Sequence, residues 1–237
     1  MRKNLGRTPA KRAMYFKPGE IEQLCLDELK AADLLPAEPS PIRIERFIEK
    51  RFKVTPQYED LPEHILGFTR FGPNGVSAIV ISRILSDEST QVADRRLSTT
   101  LAHEAGHALL HGSIFSPTEI ETELSLDGVD HREQKILCRD QGIAGENRST
   151  SGNNSNNFLE VHANRAIGGL LLPKPLVEKA LDPILATRGL LGNRVLESDR
   201  REDAVAILSK IFEVNPIVAR IRLEGMYPVT REDQMSL

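Results

Sequence analysis

The sequence predicts an α+β fold in which a small β-sheet precedes a mostly helical C-terminal half. Three observations carry this reading. Two strand-like segments, residues 64–71 and 76–82, flank Gly72-Pro73-Asn74-Gly75, a run of turn residues that joins them into a β-hairpin. Residues 94–111 form one long stretch with helical apolar spacing. From residue 158 onward four further segments, 158–172, 176–181, 204–212 and 216–225, read as helices separated by Pro, Asp or Asn.

The elements follow in order. Pro18 sits where a helix can start, and Ile21, Leu24, Cys25, Leu29 and Ala32 fall at helical spacing. Leu34-Leu35-Pro36 and the polar stretch to Pro41 end that helix. A second helix spans 42–52, with Ile44, Phe47, Ile48 and Phe52 as its buried positions, and 53–63 reads as a loop. In the hairpin, Ser77-Ala78-Ile79-Val80-Ile81 is apolar on both faces, the mark of an inner strand. The long helix takes Asp94 as its cap and Gly112 as its stop. Residues 113–157 are acidic at first and end in a polar tract of low complexity, 146–157, that reads as a mobile loop.

Composition bounds the function classes. The chain has 237 residues, 40% hydrophobic and 27% charged, with a net charge of −3. That excludes a collagen-like or wholly disordered chain. Two cysteines, Cys25 and Cys138, make neither a disulfide framework nor a thiolate zinc site. No apolar run approaches the ~20 residues that cross a bilayer, so no membrane association is expected. The N-terminus has no hydrophobic core of a secretory signal, which makes the cytoplasm the expected compartment. Residues 1–17 carry Arg2, Lys3, Arg7, Lys11, Arg12 and Lys17 and no acid. This arm reads either as a solvated tail or as a segment that touches nucleic acid or an acidic partner.

The chemistry lies in His103-Glu104-Ala105-Gly106-His107, an H-E-x-x-H motif within the long helix. Two histidines four residues apart stand about 40° apart around a helix axis, so both imidazoles can reach one metal ion at ~2.1 Å. Glu104 projects about 100° from His103, beside the metal rather than on it, which suits a base acting on a water that the metal polarises. Leu97, Leu101, Ala105 and Ala108 fall in one stripe about 80° wide, roughly opposite the histidines. The uncharged flanks Thr100-Leu101-Ala102 and Ala108-Leu109-Leu110 fit a helix buried on several sides.

A catalytic zinc takes a third protein ligand and keeps one position open. Glu160 is the best candidate. Glu160, Asn164, Ile167 and Leu171 form one line along the helix 158–172, polar at one end and apolar at the other. The line can dock a carboxylate on the metal while Asn164 hydrogen-bonds a ligand histidine and fixes its tautomer. Glu160 also fits a plain helix N-terminal acid favoured by the macrodipole. Gly168-Gly169 permits close packing against a neighbouring helix. His162 is turned about 200° from Glu160 and is rejected as a ligand. His111 lies a full turn beyond His107, too far to share the ion, and reads as a residue behind the ligands or lining the cleft. The metzincin pattern would need Gly in place of Leu110 and His in place of Ser113, so it fails.

These residues carry a family resemblance. The segment from Thr99 to His111 resembles the helix core of the ImmA/IrrE-type metallopeptidases, and Glu160-Val161-His162-Ala163-Asn164 with Leu170-Leu171-Leu172-Pro173 resembles that family's second motif. The resemblance spans roughly residues 42–225. It implies a small gluzincin-like fold, Zn2+ held by His103, His107 and Glu160, and Glu104 as the catalytic base. The implied activity is zinc-dependent endopeptidase cleavage of an intracellular protein substrate, often a DNA-binding repressor. His107 and Glu160 are 53 positions apart, longer than the family pattern, so Glu119, Glu121, Glu123 and Asp130 stay open as alternative carboxylates. Ala166 and Ile167 stand where the family often has Phe-Ala.

The expected organisation is a basic arm and helix over 1–36, a metallopeptidase-like catalytic domain over 37–184 and a helical segment over 185–237. Tyr58, His131 and Tyr227 are candidates for a second oxyanion donor by residue type only. The alternative function is a non-catalytic regulatory binding module. Segments 204–212 and 216–225 have helix-turn-helix spacing, with Arg220 and Arg222 on the second helix. The same segments also read as completing a helical core.

Overall fold

The computed structural model describes residues 16–115, 134–139, 154–188 and 192–228. Helices α1 (Pro18–Ala31) and α2 (Ile44–Phe52) lead to strand β1 (Gln57–Glu59), the hairpin strands β2 (Ile65–Gly72) and β3 (Gly75–Ser82), and one helical turn, α3 (Ile84–Asp87). Helix α4 (Gln91–Phe115) and strand β4 (Gln134–Arg139) follow. Helices α5 (Asn154–Leu171) and α6 (Lys174–Leu181), a small hairpin of β5 (Ala186–Arg188) and β6 (Asn193–Val195), and helices α7 (Arg201–Ile211) and α8 (Pro216–Met226) complete the described chain. The architecture is α+β, as the sequence predicts.

The main sheet has the order β1-β3-β2-β4. Gly72 pairs with Gly75, so Pro73-Asn74 is a two-residue turn, and Gly75 takes φ 104°, a conformation open to glycine. Strand β3 is an inner strand, as its apolar faces require, and β2 is a second one. Two strands of this sheet escape the sequence reading, as do β5 and β6 of the small hairpin. Strand β1 runs parallel to β3 through Tyr58 and Ile81, inside the stretch expected as a loop. Its Gln-Tyr-Glu has no apolar alternation, so tertiary pairing alone makes it a strand. Strand β4 pairs antiparallel with β2 inside the 113–157 stretch.

Alternation divides the sheet faces. Phe68, Ala78 and Val80 form a small cluster with Leu61 on one side. Ile79 and Ile81 enter the main core on the other. Gly67 lies on this inner face. A side chain there would come within 2.9 Å of the Val80 carbonyl and 3.3 Å of the Thr100 methyl, so glycine lets α4 lie close against the sheet.

Helix α4 is longer than its pattern suggests. Thr90, not Asp94, caps it: Thr90 Oγ1 accepts from the Ala93 N–H at 3.1 Å. Gly112 does not stop it. A terminal glycine ends a helix by turning left-handed, and among the described glycines only Gly75 and Gly192 have positive φ. Helix α5 begins at Asn154, so the end of the Asn/Ser tract is helical, while residues 146–153 lie outside the described residues.

One apolar core joins the molecule. Ile21, Cys25 and Leu29 of α1, Phe47 and Ile48 of α2, Leu101 and Ala105 of α4, Leu170 of α5, and Leu208 and Leu223 of α7 and α8 all belong to it. Residues from each of the three expected segments thus pack together. Helices α7 and α8 close the core, with the Asn215 side chain capping α8 by accepting from Ile217 N–H. The two arginines of α8 are engaged within the chain. Arg220 pairs with Glu202. Arg222 pairs with Glu22 of α1 and donates to the Leu172 carbonyl at 2.9 Å. Among the described residues no helix is long and apolar enough to cross a membrane.

Candidate metal centre

The site is built where α4 crosses α5. At Gly106 an added Cβ would lie 2.8 Å from the Ala166 Cβ and 3.1 Å from the Ala163 carbonyl. Small residues therefore set the spacing of the two helices. Behind α5 the same device recurs, with Gly169 against Cys25 of α1. This close approach carries Glu160 and Asn164 of α5 up to the motif histidines of α4.

His103 and His107 are fully buried, and Nε2 of one lies 3.0 Å from Nε2 of the other. Glu160 Oε2 is 3.2 Å from His103 Nε2, and Glu160 Oε1 is 3.5 Å from His107 Nε2. Ligand atoms at ~2.1 Å from one tetrahedral ion stand about 3.4 Å apart. The three observed separations bracket that value, and His103, His107 and Glu160 form a group able to hold a metal ion. Burial pushes the Glu160 carboxyl up, but hydrogen bonds with His103 and His107 outweigh it and hold the group down at about 2. Burial lowers His107 to about 4, opposed by Glu160. At neutral pH the cluster thus sets a carboxylate against a His107 ring that burial keeps neutral, the forms of these two groups that bind cations.

The rings are held from behind. His103 Nδ1 lies 3.0 Å from Asn164 Oδ1, the contact the i, i+4 spacing of Glu160 and Asn164 allows. An amide oxygen can accept the Nδ1 proton, which leaves Nε2 to serve as the ligand atom when a metal is bound. His107 Nδ1 lies 3.0 Å from His111 Nδ1, so His111 touches the second motif histidine and lies behind it. His162 is buried and stacks on His111, with ring centroids 5.9 Å apart.

Glu104 is fully buried, and Thr69 of β2 meets it. Thr69 Oγ1 lies 2.6 Å from Glu104 Oε2 and 3.1 Å from the Glu104 carbonyl oxygen. Glu104 Oε1 is buried with no protein hydrogen-bond partner among the described residues. Burial raises this carboxyl to about 7, against the opposing pull of His103 and the Thr69 hydroxyl. The sequence reading misses Thr69. Its one signal is a polar, β-branched residue on the same face as Gly67, opposite to the face of the strand's charged residue, Arg70.

Other candidates lie elsewhere. Tyr58 Oη bonds Glu45 of α2, and Tyr227 is the C-cap of α8. Glu119, Glu121, Glu123, Asp130 and His131 lie outside the described residues. No protein-family model matches this chain, and no curated protein matches it.

Proposed function

We propose that this chain is a zinc-dependent endopeptidase of the ImmA/IrrE type. In this reading the sheet and α4 form a gluzincin-like core, and the substrate is an intracellular regulatory protein such as a repressor. The observation that supports it most is the convergence of His103, His107 and Glu160 within 3.5 Å, with the Glu104 carboxyl buried on the same helix. Two imidazoles and one carboxylate are a zinc donor set that leaves a fourth position open. Zinc, when bound, acts as a Lewis acid that polarises the scissile carbonyl and lowers the pKa of water toward ~7.

The protein groups supply the proton transfers. Glu104 Oε1, which has no protein partner among the described residues, accepts a proton from the attacking water and returns it to the leaving amine. Burial raises this carboxyl in the metal-free chain, which strengthens it as a proton acceptor. Thr69 holds Oε2 and so orients the carboxyl. Strands β1 and β4 are the sheet edges, and an extended peptide can add to such an edge through backbone hydrogen bonds.

The test has two parts. Protein purified without chelator is expected to hold close to one zinc per chain by elemental analysis, and His107→Ala to lose it. Incubated with a peptide library, the wild type is expected to create new termini by mass spectrometry. Glu104→Gln should keep the metal and create none. A metal-free wild type, or a Glu104→Gln variant that cleaves at the wild-type rate, overturns the reading.

A further inference from the structure

Helix α4 places a third histidine, His111, against the second. His107 Nδ1 and His111 Nδ1 are 3.0 Å apart, and both side chains are fully buried. Two neutral imidazole nitrogens at this distance share one proton, so one donates and the other accepts. The opposite edge of the His107 ring decides which. Its Nε2 faces His103 Nε2 at 3.0 Å and Glu160 Oε1 at 3.5 Å. A nitrogen that offers its lone pair to a metal leaves the ring proton on the other nitrogen. With a metal on Nε2, the shared proton belongs to His107 Nδ1, and His111 Nδ1 accepts it. The His111 proton is then on Nε2, and that atom is buried without a protein partner among the described residues.

We propose that His111 is a positioning residue for the metal centre, a neutral imidazole acceptor that locks His107 in the tautomer presenting Nε2 to the ion. This rests on the zinc reading above and extends it. Asn164 Oδ1 does the same for His103 from α5, so each ligand ring is held by a different acceptor. Imidazole is an unusual choice, because carboxylates and carbonyls commonly fill this place. Here a carboxylate would add a second buried negative charge beside Glu160, whereas a neutral ring does not. The ring plane is fixed by His162 of α5, which stacks on it with planes 17° apart. The unpaired Nε2 is the free-energy cost of this arrangement, and buried polar atoms left unpaired without a role are rare.

The zinc-loaded wild type tests the tautomer directly. Long-range 1H–15N correlation spectra of the imidazole rings are expected to show His111 Nδ1 as a lone-pair nitrogen and Nε2 as the protonated one. The reverse assignment overturns the proposal, and it requires no variant to fold. Zinc affinity, read by competition with a chromophoric chelator, is expected to fall about 10–100-fold in His111→Leu. His111→Asn places an amide oxygen near the Nδ1 position and is expected to recover most of the loss. Cobalt loading adds a spectroscopic check, since His111→Leu should alter the d–d bands and His111→Asn should restore them. Equal affinity in wild type and His111→Leu, or an Asn variant as weak as Leu, overturns the role of His111 while leaving the zinc site standing. A wild type that takes up no zinc overturns both.

Discussion

Thr69 Oγ1 sits 2.6 Å from Glu104 Oε2, a contact between the second sheet strand and the site helix across 35 residues of sequence. It joins the inner face of the sheet to the proposed base. Replacing Thr69 with Val keeps the shape and removes the hydroxyl, leaving a buried carboxylate oxygen unpaired. The expected cost is about 1–3 kcal/mol of stability by urea denaturation. Peptide cleavage should slow while bound zinc is retained, and Thr69→Ser should restore both. A Val variant with unchanged stability and rate would show the contact to be idle.

The buried Glu104 carboxyl gives a pH signature in chelator-treated protein. Its pKa is about 7 when folded, against an ordinary value of 4.5. Between these values the folded chain holds a proton that the unfolded chain has released. Stability from this group is therefore full below about pH 4.5 and is lost as pH rises toward and through 7. Glu104→Gln cannot ionise and escapes this loss. The variant is expected to match wild type near pH 4.5 and to exceed it by a few kcal/mol at pH 8, at most ~3. Paired urea titrations of the two proteins across this range check it.

Two glycines of α4 should respond in opposite ways to alanine. At Gly106 the new methyl meets Ala166 and Ala163 of α5 at 2.8–3.1 Å. Alanine's helical advantage of ~1 kcal/mol is outweighed by overpacking of roughly 1–3 kcal/mol, and the helices that carry the ligands are forced apart. Lower melting temperature and weaker zinc binding are expected together. At Gly112 an added Cβ would meet no atom of the described residues within 4 Å, so Gly112→Ala should raise the melting temperature and leave zinc binding unchanged.

Cys25 is predicted to be inert in the native protein. Its thiol is fully buried against α5, and burial, with Glu22 nearby, pushes its pKa up to about 12. Alkylation with iodoacetamide at pH 8, followed by peptide mapping, should leave Cys25 unmodified until the chain is unfolded in denaturant. Prompt native labelling would contradict this packing.

Much of the site was legible because its signal is local. The i, i+4 spacing of His103 and His107 is fixed by helix geometry, and so is that of Glu160 and Asn164. The hairpin was readable from Gly72-Pro73-Asn74-Gly75. What escaped depends on distant partners. Thr69 acquires its role only when the sheet lies against α4, and the Gln-Tyr-Glu of β1 becomes a strand only beside β3. Gly106 lies between two motif residues, and its missing side chain sets how closely α5 can lie. Asp94 and Gly112 fit local rules for helix ends, but Thr90 offered a better cap and the helix runs on to Phe115.

The two-residue turn at Pro73-Asn74 has a further consequence. Residues along a strand point to alternate faces, so a slip of one position in β2 would exchange its faces. The Phe68 ring, which now lies with Ala78 and Val80, would then confront the Glu104 carboxyl in place of a hydroxyl. Insertions or deletions in that short loop should therefore silence the centre as surely as loss of a ligand.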